Sequence, residues 1–409
     1  MKEAVDSEKI PSICYVTTLP VTLKAFVLPS AEYLADHGGF QVTLVSSDCA
    51  GIVPPSAGSV RGVTVPMSRG VSLDGVRAIW QLFRLFRRER FEIVQYSTPN
   101  AAFYASIAST LARVPVRVYA QWGIRYVGFK GVKRAVFKAL ERLTCLLSTH
   151  VEPDSFGNLT FAVEEKLYPQ CKGHVIWHGS AAGVDLIQFD HQRVPASRTA
   201  TRRELGVRPD DFVLGFVGRL SRDKGARELL TATRRLLDEY SNAYLLLVGP
   251  VEGDEPEDGD WARNHDRIVR VGPTDRVPDY MAAMDVFVLP SYREGFGMVV
   301  VEAEAMGIPV IVTDIPGPLD AVLPEETGIV VPVRDAQALH RAVCMLLADP
   351  QRRAIMGRAA VEFVRANFDR EVFGVHLLDR RRTQLAQSRE SRADKRTTAG
   401  PARDGKRGR

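Results

Sequence analysis

Short apolar runs alternate with stretches of helical period along most of the chain. In the first half the runs fall at residues 13–16, 42–45, 93–96, 116–120 and 175–177, with helical patterns at 25–36, 73–90, 101–111 and 131–147 between them. Within 73–90, Val76, Ile79, Phe83 and Phe86 recur at helical spacing and read as the buried face. The alternation pauses over 191–208, where Pro195, Ser197, Thr199, Thr201 and several arginines show no apolar period, so this stretch is expected to be a linker. It then restarts. Strands are predicted at 212–217, 244–248, 268–271, 286–289, 310–313 and 329–331, and helices at 225–240, 278–284, 298–306, 336–348 and 352–367. Strand–helix alternation predicts α/β architecture with parallel, doubly wound sheets. Two Rossmann-like domains follow, 1–190 and 209–368, with a ligand expected in a cleft between them. A further helix at 369–384 is expected to cross back to the first domain.

Composition changes this picture little, charge rather more. At 409 residues, 45% hydrophobic and 25% charged, the chain suits two globular domains. From Arg380 to Arg409 there are eleven Lys/Arg and three Asp/Glu, so this end carries +8 while the whole chain carries only +5. The body is therefore acidic; the basic tail could touch nucleic acid or anionic lipid but reads more simply as solvated, and no nucleic-acid partner is expected. Residues 385–409 have almost nothing to bury and are expected to be a disordered basic tail. Five scattered cysteines without a CxxC pair fit reduced thiols, and no close liganding pair is evident among the cysteines and eight histidines. No apolar segment has the length of a membrane span, and residues 1–9 lack a signal-peptide pattern. A cytoplasmic protein is expected, with at most peripheral contact to the inner face of a membrane.

The chemistry concentrates in 284–330. An apolar run to Leu289 turns at Pro290-Ser291 into Tyr292-Arg293-Glu294-Gly295-Phe296-Gly297, and a helix follows from Met298. Gly295 and Gly297 would let backbone approach a ligand closely, and the helix start offers N–H groups and a positive dipole end to a phosphate. Glu294 and Glu302 bracket this loop eight residues apart.

A second turn, Gly218-Arg219-Leu220-Ser221-Arg222-Asp223-Lys224-Gly225, places Arg219 and Lys224 between a strand and a helix start. Cations there oppose the helix dipole, and a bound diphosphate would resolve the conflict. On that view, removing Lys224 should slightly stabilise the empty protein. The turns at 16–20 and 215–219 both lack GxGxxG, and no GxxxxGK[ST] occurs. Dinucleotide oxidoreduction and P-loop NTP hydrolysis therefore lose their main support.

Glu294-Gly295-Phe296-Gly297 through Glu302 resembles the E-x7-E signature of retaining glycosyltransferases of the two-domain GT-B fold, in particular glycosyltransferase family 4. Gly218-Arg219, Lys224-Gly225, Leu247-Val248-Gly249, Leu289-Pro290-Ser291, Pro309-Val310, Gly328 and Gly183-Val184-Asp185 are similar to that family in order. Trp122-Gly123-Ile124-Arg125-Tyr126 and Tyr96-Ser97-Thr98-Pro99-Asn100 resemble a subgroup of capsule and O-antigen synthesis. The resemblance implies that Gly218, Arg219 and Lys224 meet a donor diphosphate, aided by the N–H groups of Phe296 and Gly297. Glu294 would contact the donor sugar, Glu302 the ribose and main chain near Gly272 the base. It implies a nucleoside diphosphate donor, expected to be a uridine diphosphate sugar of hexosyl or N-acetylhexosaminyl type. The acceptor would be a lipid-linked oligosaccharide or glycan held by the first domain, and no cofactor or metal is expected. Many family members carry a histidine where this chain has Gln121-Trp122-Gly123; His178 could face the cleft but reads more simply as a structural turn histidine, and no protein nucleophile is named.

Two other classes stay open at this point: a sugar-nucleotide epimerase of the same shape, and a non-catalytic nucleotide-sugar-binding protein. The acidic loop 252–260 contains Asp258-Gly259-Asp260, but no strand leads directly into it, so it reads as a solvated loop. Finally, Lys130, Lys133, Arg134 and Lys138 interleave with Phe129, Val132, Val136, Phe137 and Leu140. This pattern suits reversible docking on an anionic membrane, at about 1 kcal/mol for each base.

Overall fold

The computed structural model of the protein describes residues 10–52, 58–67, 74–252 and 259–398. They form two compact units, one from the stretches 10–119, 143–150 and 375–398, the other from 120–142 and 151–374.

The first sheet contains β1 (Ser12–Val16), β2 (Gln41–Ser46), β3 (Val60–Thr64), β4 (Ile93–Tyr96), β5 (Val116–Gln121) and β6 (His150–Pro153), in the order β3-β2-β1-β4-β5-β6. The second contains β7 (Phe212–Val217), β8 (Ala243–Val248), β9 (Ile268–Val271), β10 (Val286–Leu289), β11 (Val310–Thr313) and β12 (Gly328–Val331), in the order β12-β11-β10-β7-β8-β9. Both orders are the doubly wound arrangement, so each sheet reverses direction beside its first strand, at β1/β4 and at β7/β10. The α/β reading is correct for both halves. The inner strands are continuous apolar runs because helices cover both faces: Val286, Phe287, Val288 and Leu289 are each 1% exposed or less.

Several expectations need correction. Residues 175–177 do not form a strand; Trp177 has φ +52° and lies in a turn. The missing strands are β3 and β6. β3 is an edge strand whose middle positions face solvent, and β6 carries His150, Glu152 and Pro153, so neither shows an apolar run. On the helix Asp74–Glu89 the buried face is Ala78, Leu82, Leu85 and Phe86, whereas Val76 is exposed. Residues 191–208 hold the helix Val194–Glu204. Its buried Arg202 donates to the carbonyl of Asp211 at 2.7 Å and pairs with Asp285 Oδ2 at 2.7 Å. A guanidinium supplies the attachment that an apolar stripe usually gives, so periodicity could not reveal this helix.

The last helix, Arg370–Thr398, runs fourteen residues past the expected end at 384. Arg381 is fully buried and donates to Gln95 Oε1 at 2.6 Å, Leu385 is 7% exposed, and Arg389 pairs with Glu92 at 3.3 Å. These anchors explain why residues 385–398 are helical rather than part of a free tail. Residues 399–409 lie outside the described residues, as do 1–9 and 253–258.

Candidate functional site

The loops after β7 and β10 leave the carboxyl ends of adjacent parallel strands, at the reversal point of the second sheet. The β7 loop opens at Gly218, φ +143°, and closes at Gly225, φ +73°. A Cβ on Gly225 would lie 2.0 Å from the Pro290 carbonyl oxygen, so only glycine lets the two loops touch. They are then stitched together. The Tyr292 N–H donates to the Asp223 carbonyl at 2.9 Å, and the Tyr292 hydroxyl donates to Glu228 at 2.5 Å. Arg293 pairs with Asp223 at 3.1 Å.

Lys224 Nζ lies 2.5 Å from Glu294 Oε1, and the Ser291 hydroxyl donates to the same oxygen at 2.7 Å. Arg219 pairs with Glu252 and, at 3.8 Å, with Asp223. Burial works against ionisation of Asp223, yet its Ser221 hydrogen bond and the charges of Arg293, Arg219 and Lys224 hold its carboxyl below the usual range. Both predicted phosphate-binding cations are therefore held by carboxylates here. A diphosphate with its negative charge would take over these contacts.

Gly297 has φ +90° and caps the helix Met298–Ala305, so its glycine requirement is conformational. Gly295 differs from expectation. A Cβ there would lie 2.2 Å from Asp154 Oδ2 and 3.1 Å from the Gly123 nitrogen, so its missing side chain serves packing against protein. Asn158 Nδ2 donates to the Gly295 carbonyl at 2.6 Å and more weakly to that of Glu294 at 3.4 Å, and Ser155 Oγ donates to Gly295 at 3.3 Å. Ser155 also caps its own helix, Phe156–Glu164, by accepting from the Asn158 N–H. Phe296 is buried with its ring 5.2 Å from that of Phe368.

Asp154, Ser155 and Asn158 were not picked out from the sequence. The only cue is a serine at a helix start. Burial pushes the Asp154 carboxyl up to about 8; Asn158 opposes the shift and the charges of Glu294 and Asp320 add to it. Glu302, one turn into the helix, is raised to about 7 by burial, against the charge of Arg370. Gly272 is exposed just past β9, with open space where a Cβ would point.

Gln121 does not replace the absent histidine. It is fully buried, donating to Glu141 at 2.6 Å and accepting from the Tyr168 hydroxyl at 3.0 Å. Instead Gly123, φ +88°, lies against Gly295. His178 is exposed in a turn flanked by positive-φ residues Trp177 and Gly179.

The expectation of no close liganding pair is also corrected. His340 Nε2 and Cys344 Sγ lie 3.4 Å apart on one helix, with Glu239 beside them. The signal in the sequence is the spacing of four, one turn of the helix Ala336–Ala348.

Residues 197–363 match the family described as glycosyl transferases group 1, and residues 23–151 match a glycosyl transferase 4-like domain. Glycosyl transferase models thus match both halves of the chain, which is a glycosyltransferase. The matched regions include both site loops, Glu294 and Glu302. This glycosyltransferase is 28% identical over 328 residues to the capsular polysaccharide biosynthesis glycosyltransferase CapM of Staphylococcus aureus, covering 79% of this chain and 85% of CapM. It is 26% identical over 350 residues to the UDP-Gal:alpha-D-GlcNAc-diphosphoundecaprenol alpha-1,3-galactosyltransferase of Escherichia coli, covering 82% and 88% respectively. Among solved structures, Anabaena HepE in complex with UDP superposes with a TM-score of 0.71 at 19% identity, over 93% of this chain and 100% of that one. At that identity the likeness establishes the GT-B fold alone. Among the described residues, no helix is long and apolar enough to cross a membrane.

Proposed function

We propose that this glycosyltransferase moves a hexosyl or N-acetylhexosaminyl unit from a uridine diphosphate sugar to a lipid-linked oligosaccharide or glycan, with retention of configuration, in cell-surface polysaccharide synthesis. The observation that carries this reading is the Lys224–Glu294 contact beside Arg219 and the helix start at Gly297. Lys224 and Arg219 would exchange their carboxylate partners for the donor diphosphate and neutralise the leaving group without a metal. Glu294, released from Lys224, would accept from donor-sugar hydroxyls, while Glu302 would accept from the ribose and main chain near Gly272 would meet the base. Asp154, Ser155 and Asn158 would keep the Glu294–Gly297 backbone in place. The name of the Staphylococcus relative supports a part in polysaccharide synthesis, and that of the Escherichia relative supports a diphosphate-lipid-linked acceptor and a uridine-linked donor.

Peripheral membrane docking belongs to the same proposal. The segment offering it is the helix Gly131–Leu147, where Val132 is 81% exposed and Val136 52%. Its basic face is smaller than expected, because Arg134 and Lys138 pair with Glu165 at 3.2 and 2.6 Å.

The test is incubation with labelled uridine diphosphate sugars and a bacterial lipid extract. Labelled lipid with retained anomeric configuration is expected. An isomerised donor without transfer would indicate an epimerase, and binding without turnover a non-catalytic protein; either would overturn the proposal.

A further inference from the structure

We infer that Glu239, His340 and Cys344 form a divalent-cation site of the zinc type, separate from the donor site. Glu239 ends the helix Ala226–Glu239, while His340 and Cys344 lie one turn apart on the helix Ala336–Ala348. Fourteen helical residues separate Glu239 from the Gly225 turn, about 20 Å at 1.5 Å per residue.

Three observations support the site. The first is geometric. His340 Nε2 lies 3.2 Å from Glu239 Oε2 and 3.4 Å from Cys344 Sγ, and the sulfur lies 3.9 Å from Glu239 Oε2. Tetrahedral zinc, with bonds of about 2.0 to 2.3 Å, sets nitrogen and oxygen ligands about 3.3 Å apart and places sulfur about 3.5 Å from either. The three atoms are thus within a few tenths of an ångström of a zinc-binding triangle. The second is electrostatic. Glu239 sits at a helix carboxyl end whose last turn has no basic residue, so its charge opposes the helix dipole. A bound cation removes that conflict. The third is shelter: the His340 side chain is 13% exposed and Cys344 is half-buried, so both donors are partly withdrawn from water. Thiolate, imidazole and carboxylate together select zinc or cobalt over magnesium, with water completing the tetrahedron. Such an ion would clip the end of one helix to the middle of the other. It would leave the donor chemistry untouched.

The test uses chelator-treated full-length protein titrated with cobalt(II) chloride, then zinc chloride. One equivalent of cobalt should bind with tetrahedral visible bands and a near-ultraviolet thiolate charge-transfer band, both removed by zinc. Zinc should raise the thermal midpoint. Cys344→Ser should abolish the charge-transfer band, and it and His340→Ala should each weaken cobalt binding by at least about tenfold. Where a variant fails to fold, thiol modification of the wild-type protein replaces it, and zinc should slow labelling of Cys344 by at least about tenfold. Absence of saturable stoichiometric binding, a charge-transfer band that survives Cys344→Ser, or zinc-independent labelling of Cys344 would overturn the site. None of these readouts depends on sugar transfer, so the inference stands or falls apart from the proposed function.

Discussion

Lys224 and Glu294 are joined at 2.5 Å across the two loops that flank the reversal point of the second sheet. Their side chains are 20% and 11% exposed. Breaking the pair therefore leaves a half-buried charge, and the expectation that removing Lys224 stabilises the empty protein is reversed. Lys224→Ala should destabilise it by roughly 1–3 kcal/mol and lose nucleoside diphosphate affinity. Chemical denaturation and calorimetric titration with UDP check both effects.

The same contact sets a different outcome for its partner. Glu294→Gln frees Lys224, so bare UDP should bind about two- to fivefold more tightly, as expected for an ion pair worth up to about 1 kcal/mol. Transfer should nevertheless fall, because the sugar loses its acceptor. A variant with weaker UDP binding and normal transfer would contradict both roles.

The fold was legible wherever a strand is buried on both faces, as at Val286–Leu289, and illegible where polar groups make the attachment, as at Arg202, Arg389 and β6. The site divides in the same way. Arg219, Lys224, Glu294 and Glu302 lie in motifs contiguous in sequence, so their types and spacing expose them. Asp154 and Asn158 meet the Glu294–Gly297 loop from more than 130 residues away. Nothing local marks such a contact. Gly295 shows the limit well: the sequence announces a close approach, but only the structure shows that Asp154 is what approaches.

Glu302 supplies a pH dependence. Its carboxyl is raised to about 7, mainly by burial, and ribose hydroxyls need the ionised form as acceptor. Donor affinity should therefore climb as pH rises through about 7, level off above it, and fall by up to tenfold for each unit below. Glu302→Gln should flatten the profile, and Glu302→Ala should cost roughly 1–3 kcal/mol of donor binding at pH 8. Fluorescence titration of UDP from pH 6 to 9 gives the answer; a wild-type profile that is flat sinks the ribose assignment.

Asp154 affects stability instead. Its folded carboxyl sits at about 8, far above the ordinary 3.8, because burial disfavours the charge. Between those values the native state holds a proton that the unfolded chain has lost, so its stabilising contribution is full below about 4 and disappears as pH rises toward 8. Asp154→Asn removes this dependence. The variant should match wild type near pH 4.5 and exceed it by at least about 1 kcal/mol at pH 8.5, measured by urea unfolding. An equal difference at both pH values would show that Asp154 is charged throughout.

Membrane docking rests on the helix Gly131–Leu147. Four bases there were expected to contribute roughly 4 kcal/mol, but Arg134 and Lys138 are occupied by Glu165. Lys130 and Lys133 remain on the exposed side, with Lys133 4.5 Å from the Phe129 ring centroid and Val132 and Val136 alongside. Two bases give about 2 kcal/mol, so docking should be weak, reversible and lost with rising salt. Further bases lie beyond residue 398, so the test uses a chain ending at Thr398, which keeps the helix with its buried Arg381 and Leu385. That protein should sediment with anionic vesicles at low salt. Lys130→Gln with Lys133→Gln should reduce this several-fold, and Arg134→Gln with Lys138→Gln should change it much less. Transfer to a lipid-borne acceptor should follow the same order while UDP binding stays constant. If both double variants lose sedimentation equally, Glu165 does not hold Arg134 and Lys138 away from the membrane, and the smaller docking face is wrong.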